Sequence, residues 1–312
     1  MRILVLGGTK FLGRAFVDAA LARRHELTLF NRGETNADLF PNVEKLRGDR
    51  RHDLSALRGR SWDAVVDPSG YTPAVVRASA ELLRDSGGYL FVSSVSVYAD
   101  FSVGPDEDSP VTELGEASSL ELADDFSNYG ALKALCEQAV QDVFGERTLI
   151  VRPGLIVGPH DPTGRFTYWA HRLARGGEIL APGPPDRRAQ FIDVRDLAGW
   201  MLNCVERGVT GVFNATNEGV AWGELLAGAA ATWVSDEHLV AHEVGEWMEL
   251  PLWLADPAWA GMHRTNVSKA VGAGLTFRPL AETITGAAEA PAVDGVGLTP
   301  EREAELLRAW RG

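Results

Sequence analysis

Arg2-Ile-Leu-Val-Leu-Gly-Gly-Thr-Lys-Phe-Leu-Gly13 is the stretch on which the reading of this chain turns. Residues 2–6 read as a strand whose apolar run, Ile3 to Leu6, suits burial on both faces of a parallel sheet. Glycine directly after such a strand lets the backbone turn tightly and approach a pyrophosphate. The helix that follows aims its N-terminal N–H groups and positive dipole end at that phosphate. Residues 11–24 read as this helix, with Phe11, Leu12, Ala15, Phe16 and Ala19 on one face. Residues 26–30 read as a second strand, which completes a right-handed strand–helix–strand unit. Gly7, Thr9, Lys10, Phe11, Leu12 and Gly13 are therefore the candidate phosphate contacts. Lys10 stands where a G-x-x-G-x-x-G turn has its middle glycine, and its ammonium can neutralise the phosphate.

The alternation continues downstream. Residues 43–46 and 64–66 read as strands, 73–84 as a helix with proline in its first turn, and 89–92 as a fifth strand. Residues 129–144 read as a long helix and 148–151 as a sixth strand. Strands alternating with helices predict an α/β protein with a Rossmann-type, doubly wound parallel sheet. The Pro/Gly-rich residues 181–185 mark a surface loop. Beyond Asn217 the pattern loosens and carries Trp222, Trp233, Trp247, Trp253 and Trp259. Such side chains either line a substrate pocket or pack a small lobe.

The 312 residues are 45% hydrophobic and 23% charged, which excludes a disordered or fibrous chain. A net charge of −13 argues against nucleic acid as the main partner, because phosphate-backbone binders present a basic face. Cys136 and Cys204 are too few for a disulfide framework or a cysteine zinc site, so no metal and a reducing cytoplasm are expected. No apolar run approaches the roughly 18 residues of a membrane span, and Met1 leads straight into the first strand without a signal-peptide pattern. A cytoplasmic protein with no membrane partner is the expectation.

Tyr129-Gly-Ala-Leu-Lys133 carries the chemistry. Positions i and i+4 share a helix face, so phenol and ammonium lie side by side. A neighbouring cation is expected to lower a phenol pKa that is ordinarily about 10, which makes tyrosine a usable acid/base. Upstream, Phe91-Val-Ser-Ser-Val-Ser-Val-Tyr98 runs from a buried strand into hydroxyls, at the sheet end where ligands bind.

Together with Arg152-Pro-Gly-Leu-Ile-Val-Gly-Pro159 and Phe191-Ile-Asp-Val-Arg-Asp-Leu197, these motifs resemble an extended short-chain dehydrogenase/reductase of the NAD-dependent epimerase/dehydratase family, over residues 1 to about 215. The resemblance implies that Ser94 hydrogen-bonds the reacting oxygen, with Ser93 a packing neighbour. It implies that Tyr129 is the acid/base and that Lys133 binds the nicotinamide ribose and tunes the phenol. It places Asp49 and Arg50 near the adenine, Pro68 and Ser69 past the fourth strand, and Pro153 and Leu155 near the nicotinamide. Asp193 and Asp196 are read as capping the next helix. Residues 1–158 plus 191–216 would bind NAD(P), and 159–190 plus 217–312 would form a substrate-binding lobe. A homodimer through the Tyr129 helix is also implied.

Two features depart from the family. Ser94 and Tyr129 are thirty-five residues apart, against about two dozen in relatives, and residues 105–125 hold eight acidic and no basic side chains. This segment is read as a solvated loop which, if it covers the site, disfavours polyanionic substrates. The leading expectation is an NAD(P)-dependent oxidoreductase that interconverts a secondary alcohol and a ketone on a small polar substrate. The alternatives are an epimerase of a sugar-like substrate and an RNA-binding protein, since the first turn and Phe30-Asn-Arg-Gly33 also resemble plant chloroplast stem-loop RNA-binding proteins. Asn31 and Arg32 end the second strand without the carboxylate that accepts from an NAD ribose, so NADP(H) is favoured, with NAD(H) as the alternative. Val95 and Ser96 stand where sugar-nucleotide 4,6-dehydratases carry acids, which argues against that reaction.

Overall fold

The structure, a computed structural model, describes residues 1–115 and 119–312. Glu116, one of the eight acids in the 105–125 segment, lies outside the described residues. Strands β1 (Arg2–Leu6), β2 (Glu26–Asn31), β3 (Glu44–Arg47), β4 (Ala64–Asp67), β5 (Tyr89–Val92) and β6 (Thr148–Pro153) join the strand Gly211–Ala215 in one sheet. From one edge the order is Gly211–Ala215, β6, β5, β4, β1, β2, β3, with every pairing parallel.

Strand residues alternate between two cores. Ile3 and Val5 point to one face, with Leu29, Val66 and Val151, where they meet helices α1 (Phe11–Ala22) and α5 (Val194–Arg207). Leu4 and Leu6 point to the other face, with Val65, Phe91 and Ile150, against α2 (Pro73–Leu82) and α3 (Tyr129–Phe144). A strand with apolar residues at consecutive positions is what such two-sided burial requires. The chain runs outward from β1 to β3, then returns to β4 and runs the other way. That reversal opens a crevice between the carboxyl ends of β1 and β4.

The long helix spans 129–144 as read from the sequence, while other ends shift by one or two residues. The first helix ends at Ala22, because Arg24 takes a left-handed φ of 62 and breaks the spiral. β4 extends to Asp67 and β6 to Pro153, since pairing with neighbouring strands carries the ladder past the apolar run. The strand Gly211–Ala215 was not anticipated as a strand.

A second core gathers Phe166 and Trp169 of α4 (Arg165–Arg175), Leu180, Trp222, Val234, Trp253 and Leu306. Trp222 and Trp253 are packing residues in it, and Trp259 is 43% exposed and stacks on Phe101. The acidic segment is tied down on either side of the undescribed residues. Glu107 accepts the Asn214 backbone N–H at 2.8 Å, and Glu121 meets the Arg51 guanidinium at 3.0 Å. Around these two ties the segment keeps its acids in solvent, with Asp106, Asp108, Glu113, Asp124 and Asp125 exposed. Among the described residues, no helix is long and apolar enough to cross a membrane.

Candidate active site

The turn after β1 is made of backbone. Gly7 and Gly8 have φ of 119 and 92, a region that side chains disfavour. A Cβ on Gly13 would lie 3.1 Å from the Gly8 backbone nitrogen, so glycine there lets the first turn of α1 pack closely on the Gly7–Gly8 turn. Phe11 holds φ 38, a costly left-handed value at the first turn of the helix. Lys10 is exposed in extended backbone just before it, while Thr9 and Leu12 are buried. The result is a cradle of main-chain N–H groups at a helix N-terminus, which fits a pyrophosphate.

At the end of β2, the Asn31 amide donates to the Gly7 carbonyl at 2.8 Å, locking the strand end to the turn. The Asn31 oxygen accepts from the Gly33 N–H and from the guanidinium of Arg47, which ends β3. Arg32 instead pairs with Glu34 at 3.0 Å and is about 60% exposed. The cation against Asn31 is therefore Arg47, which sequence reasoning missed. The parallel pairing of Asn31 with Arg47 is the signal that would have found it.

Asp49 accepts the Arg51 N–H at 2.9 Å and so orders its own turn. Arg50 is a correction. Its guanidinium forks onto the fully buried Asp67, and its Nε donates to Ser79 Oγ at 2.9 Å. That charge is taken up by an internal ion pair between β4 and α2, whereas the family resemblance places it near the adenine. Pro68 and Ser69 do border the crevice: Ser69 Oγ donates to the Leu6 carbonyl at 2.9 Å, and Pro68 abuts Gly13. Pro153 ends β6, and Leu155 follows beside the site.

Tyr129, Ser94 and Lys133 converge at the carboxyl end of β5. A Cβ on Gly130 would meet the Ser96 carbonyl at 2.0 Å, so this glycine lets the start of α3 close onto the serine turn. Ser94 Oγ accepts the Ser96 N–H at 3.1 Å and donates to Ser96 Oγ at 3.0 Å. Ser93 beside it is buried. Burial, with help from Tyr71, pushes the Tyr129 phenol up to about 12, against the pull of the Ser94 hydroxyl and the Arg165 charge. The expectation that Lys133 would lower this pKa is not met. Lys133, 2% exposed, donates to the Gly70 and Val92 carbonyls at 2.7 and 2.6 Å, lying against the rings of Tyr71 and Phe91. Burial pulls its own pKa down to about 8.

Beyond the tyrosine, a small cavity is bordered by Val95, Gly154, Leu155, Thr216, Trp247 and His263. Of the six tryptophans past Asn217, Trp247 is the one on this cavity. His263 accepts the Gln190 N–H at 3.0 Å and donates to the Leu252 carbonyl at 2.9 Å; burial holds its pKa near 4, so it is neutral. Asp193 caps α5 by accepting the Arg195 N–H, whereas Asp196 pairs with Arg278. Tyr71 and Arg165 also reach this site, and neither carries a sequence motif that would have found it.

Comparison with known proteins agrees with this geometry. The chain is 27% identical over 250 residues to the chloroplast stem-loop binding protein of 41 kDa b from Arabidopsis thaliana, covering 74% of this chain and 62% of that one. It is 29% identical over 262 residues to 2'-dehydrokanamycin reductase from Streptomyces kanamyceticus, covering 80% and 64%. The chain thus spans less than two thirds of either relative's length. The fold superposes on UDP-glucuronic acid 4-epimerase from Bacillus cereus in complex with NAD with a TM-score of 0.63, at 15% identity, over 93% of this chain and 98% of that one. The NAD dependent epimerase/dehydratase family model matches residues 3–216, and the chain belongs to that family.

Proposed function

We propose that the chain is an NAD(P)-dependent oxidoreductase that interconverts a secondary alcohol and a ketone on a small polar substrate, with Tyr129 as acid/base. The observation that carries this reading is the half-buried phenol beside Ser94, one helical turn from a Lys133 held by main-chain carbonyls. Family membership and relatives named as reductases support it. The nicotinamide, when bound, supplies or takes up the hydride. Tyr129, protonated at neutral pH, gives its proton to the carbonyl oxygen, and Ser94 donates a hydrogen bond to the same oxygen. A phenol near 12 is in its protonated form at pH 7, the form that donates a proton in the reductive direction.

Cofactor binding falls to the Gly7–Gly13 turn, to Asn31 with Arg47 and Arg32, and to Asp49, Pro68, Ser69, Lys133, Pro153 and Leu155. NADP(H) is favoured, because the end of β2 offers an amide and a guanidinium in place of a carboxylate. Residues 159–190 and 217–312 form the substrate lobe. The test is NADPH oxidation with a panel of small ketones, in wild type and in Tyr129→Phe. Turnover without net cofactor consumption would instead support an epimerase.

The likeness to the Arabidopsis protein favours a second reading, RNA stem-loop binding on the same fold. The net charge of −13 weighs against it, and a salt-dependent gel shift with stem-loop RNA would revive it.

A further inference from the structure

Arg50, Arg152, Arg172, Arg195 and Arg278 are packed into the protein, and each meets a carboxylate. Arg165, the first residue of α4, does not. Among the described residues, no carboxylate lies within ion-pair reach of it, and no acceptor takes its N–H groups. Asp161, the acid whose charge acts on it, is 2% exposed; one of its oxygens accepts the Thr163 N–H at 2.8 Å, and neither is within ion-pair reach of the guanidinium. The Arg165 guanidinium lies 5.0 Å over the ring of Trp247, and Trp247 borders the cavity that reaches Val95 and Leu155. Its charge is felt at the Tyr129 phenol. A half-buried guanidinium with no direct hydrogen bond, and only the through-space charge of Asp161 to offset its burial, is incompletely paired, and a ligand oxyanion would complete the pairing.

We infer that Arg165, backed by Trp247, anchors a carboxylate of the substrate, so that the substrate pair is a small oxo acid and its hydroxy acid. This rests on the oxidoreductase reading and adds the substrate class to it. The planar fork matches a carboxylate through two parallel N–H···O bonds. A polyanion such as a nucleoside diphosphate fits less well, because Glu107 and Glu121 hold an acid-rich segment against this end of the sheet.

Matched acid and ester probes test the inference: acetoacetate against methyl acetoacetate, and 2-oxobutanoate against methyl 2-oxobutanoate. Binding to the NADP⁺ complex is read by calorimetry and thermal shift. In wild type, at least one acid should bind about 10- to 150-fold more tightly than its ester. Arg165→Gln should abolish that difference, and Arg165→Lys, which keeps the charge but loses the fork, should restore part of it. NADPH affinity, read by its fluorescence, should stay unchanged in both variants, which also reports that they fold. Acid and ester behaving alike in wild type, or a preference that survives in Arg165→Gln, overturns the inference while leaving the oxidoreductase reading intact. A wild-type chain that binds neither NADPH nor NADH overturns both.

Discussion

Asn31 and Arg47 meet as one unit at the carboxyl ends of two neighbouring strands: they are partners in the parallel β2–β3 register, and the Arg47 guanidinium donates to the Asn31 amide oxygen. Arg32, the next residue along, points away to Glu34.

Under the proposed NADP(H) preference, the 2′-phosphate falls chiefly to Arg47. Arg47→Ala should weaken NADP(H) binding by about 10- to 150-fold, the worth of a charge-assisted contact of roughly 1.5–3 kcal/mol, and leave NAD(H) nearly unchanged. Arg32→Ala should cost at most about 1 kcal/mol, as expected for an exposed ion pair. Fluorescence titration of both cofactors against wild type and the two variants decides. Equal affinities in wild type would remove the preference altogether.

Tyr129→Phe should lower kcat by about 100- to 10,000-fold and keep cofactor affinity, because in the proposed mechanism the phenol oxygen carries the proton transfer. A variant that retains more than about a tenth of wild-type kcat takes Tyr129 out of that role. Lys133→Met should damage both kcat and cofactor binding.

The two shifted groups give a pH signature. Tyr129, raised to about 12 by burial, stays protonated throughout the working range. Lys133, lowered to about 8 by burial, loses its charge as pH rises through that value. Reductive kcat/KM should therefore be level below about 8 and fall above it, and the fall should vanish in Lys133→Met. Stability runs the other way. The folded pKa lies below the unfolded value of about 10.4, so between the two the unfolded chain binds more protons. This group's contribution is complete above the unfolded pKa and lost as pH falls through about 8. An activity decline with no matching drop in Tm would separate charge loss from unfolding.

Arg50→Met should destabilise the protein by about 3–5 kcal/mol, because it strands the buried Asp67 carboxylate. Denaturant unfolding reads the cost. NADPH affinity of the folded variant should match wild type; a selective loss of affinity at unchanged stability would return Arg50 to the cofactor site.

Thymidine-diphosphate glucose should give no 4-keto-6-deoxy product. Elimination needs an acid for the leaving hydroxyl and a base for the α-proton. Val95 is buried and cannot ionise, and Ser96 is bonded to Ser94. Detection of that product by mass spectrometry would show that other groups supply the missing acid and base.

The fold was legible where its causes are local. The run from Arg2 to Gly13 carries strand, turn and helix start within itself, and the 129–144 helix is bounded as read. Strand ends were less so, since β6 continues to Pro153 only because Ala215 pairs with it from a distant segment. Ser94, Tyr129 and Lys133 were legible as a spacing, and the structure brings them together. The phenol's environment was not: the cation that acts on it comes from Arg165, and the lysine is taken by carbonyls. Arg50 and Arg47 show the same limit. Which long side chain is swallowed by a buried acid depends on Asp67, a strand away.

The lysine held by Gly70 and Val92 has acceptors that no side-chain replacement can delete, since every amino acid brings a main-chain carbonyl. Its placement is vulnerable only to backbone displacement, and Gly70 is where that threat concentrates: an added methyl would press on Phe91 and Val76 at 2.6 and 2.7 Å. Libraries that randomise the walls of the pocket can thus retune what the protein accepts without dislodging its ammonium, provided that this one glycine is spared.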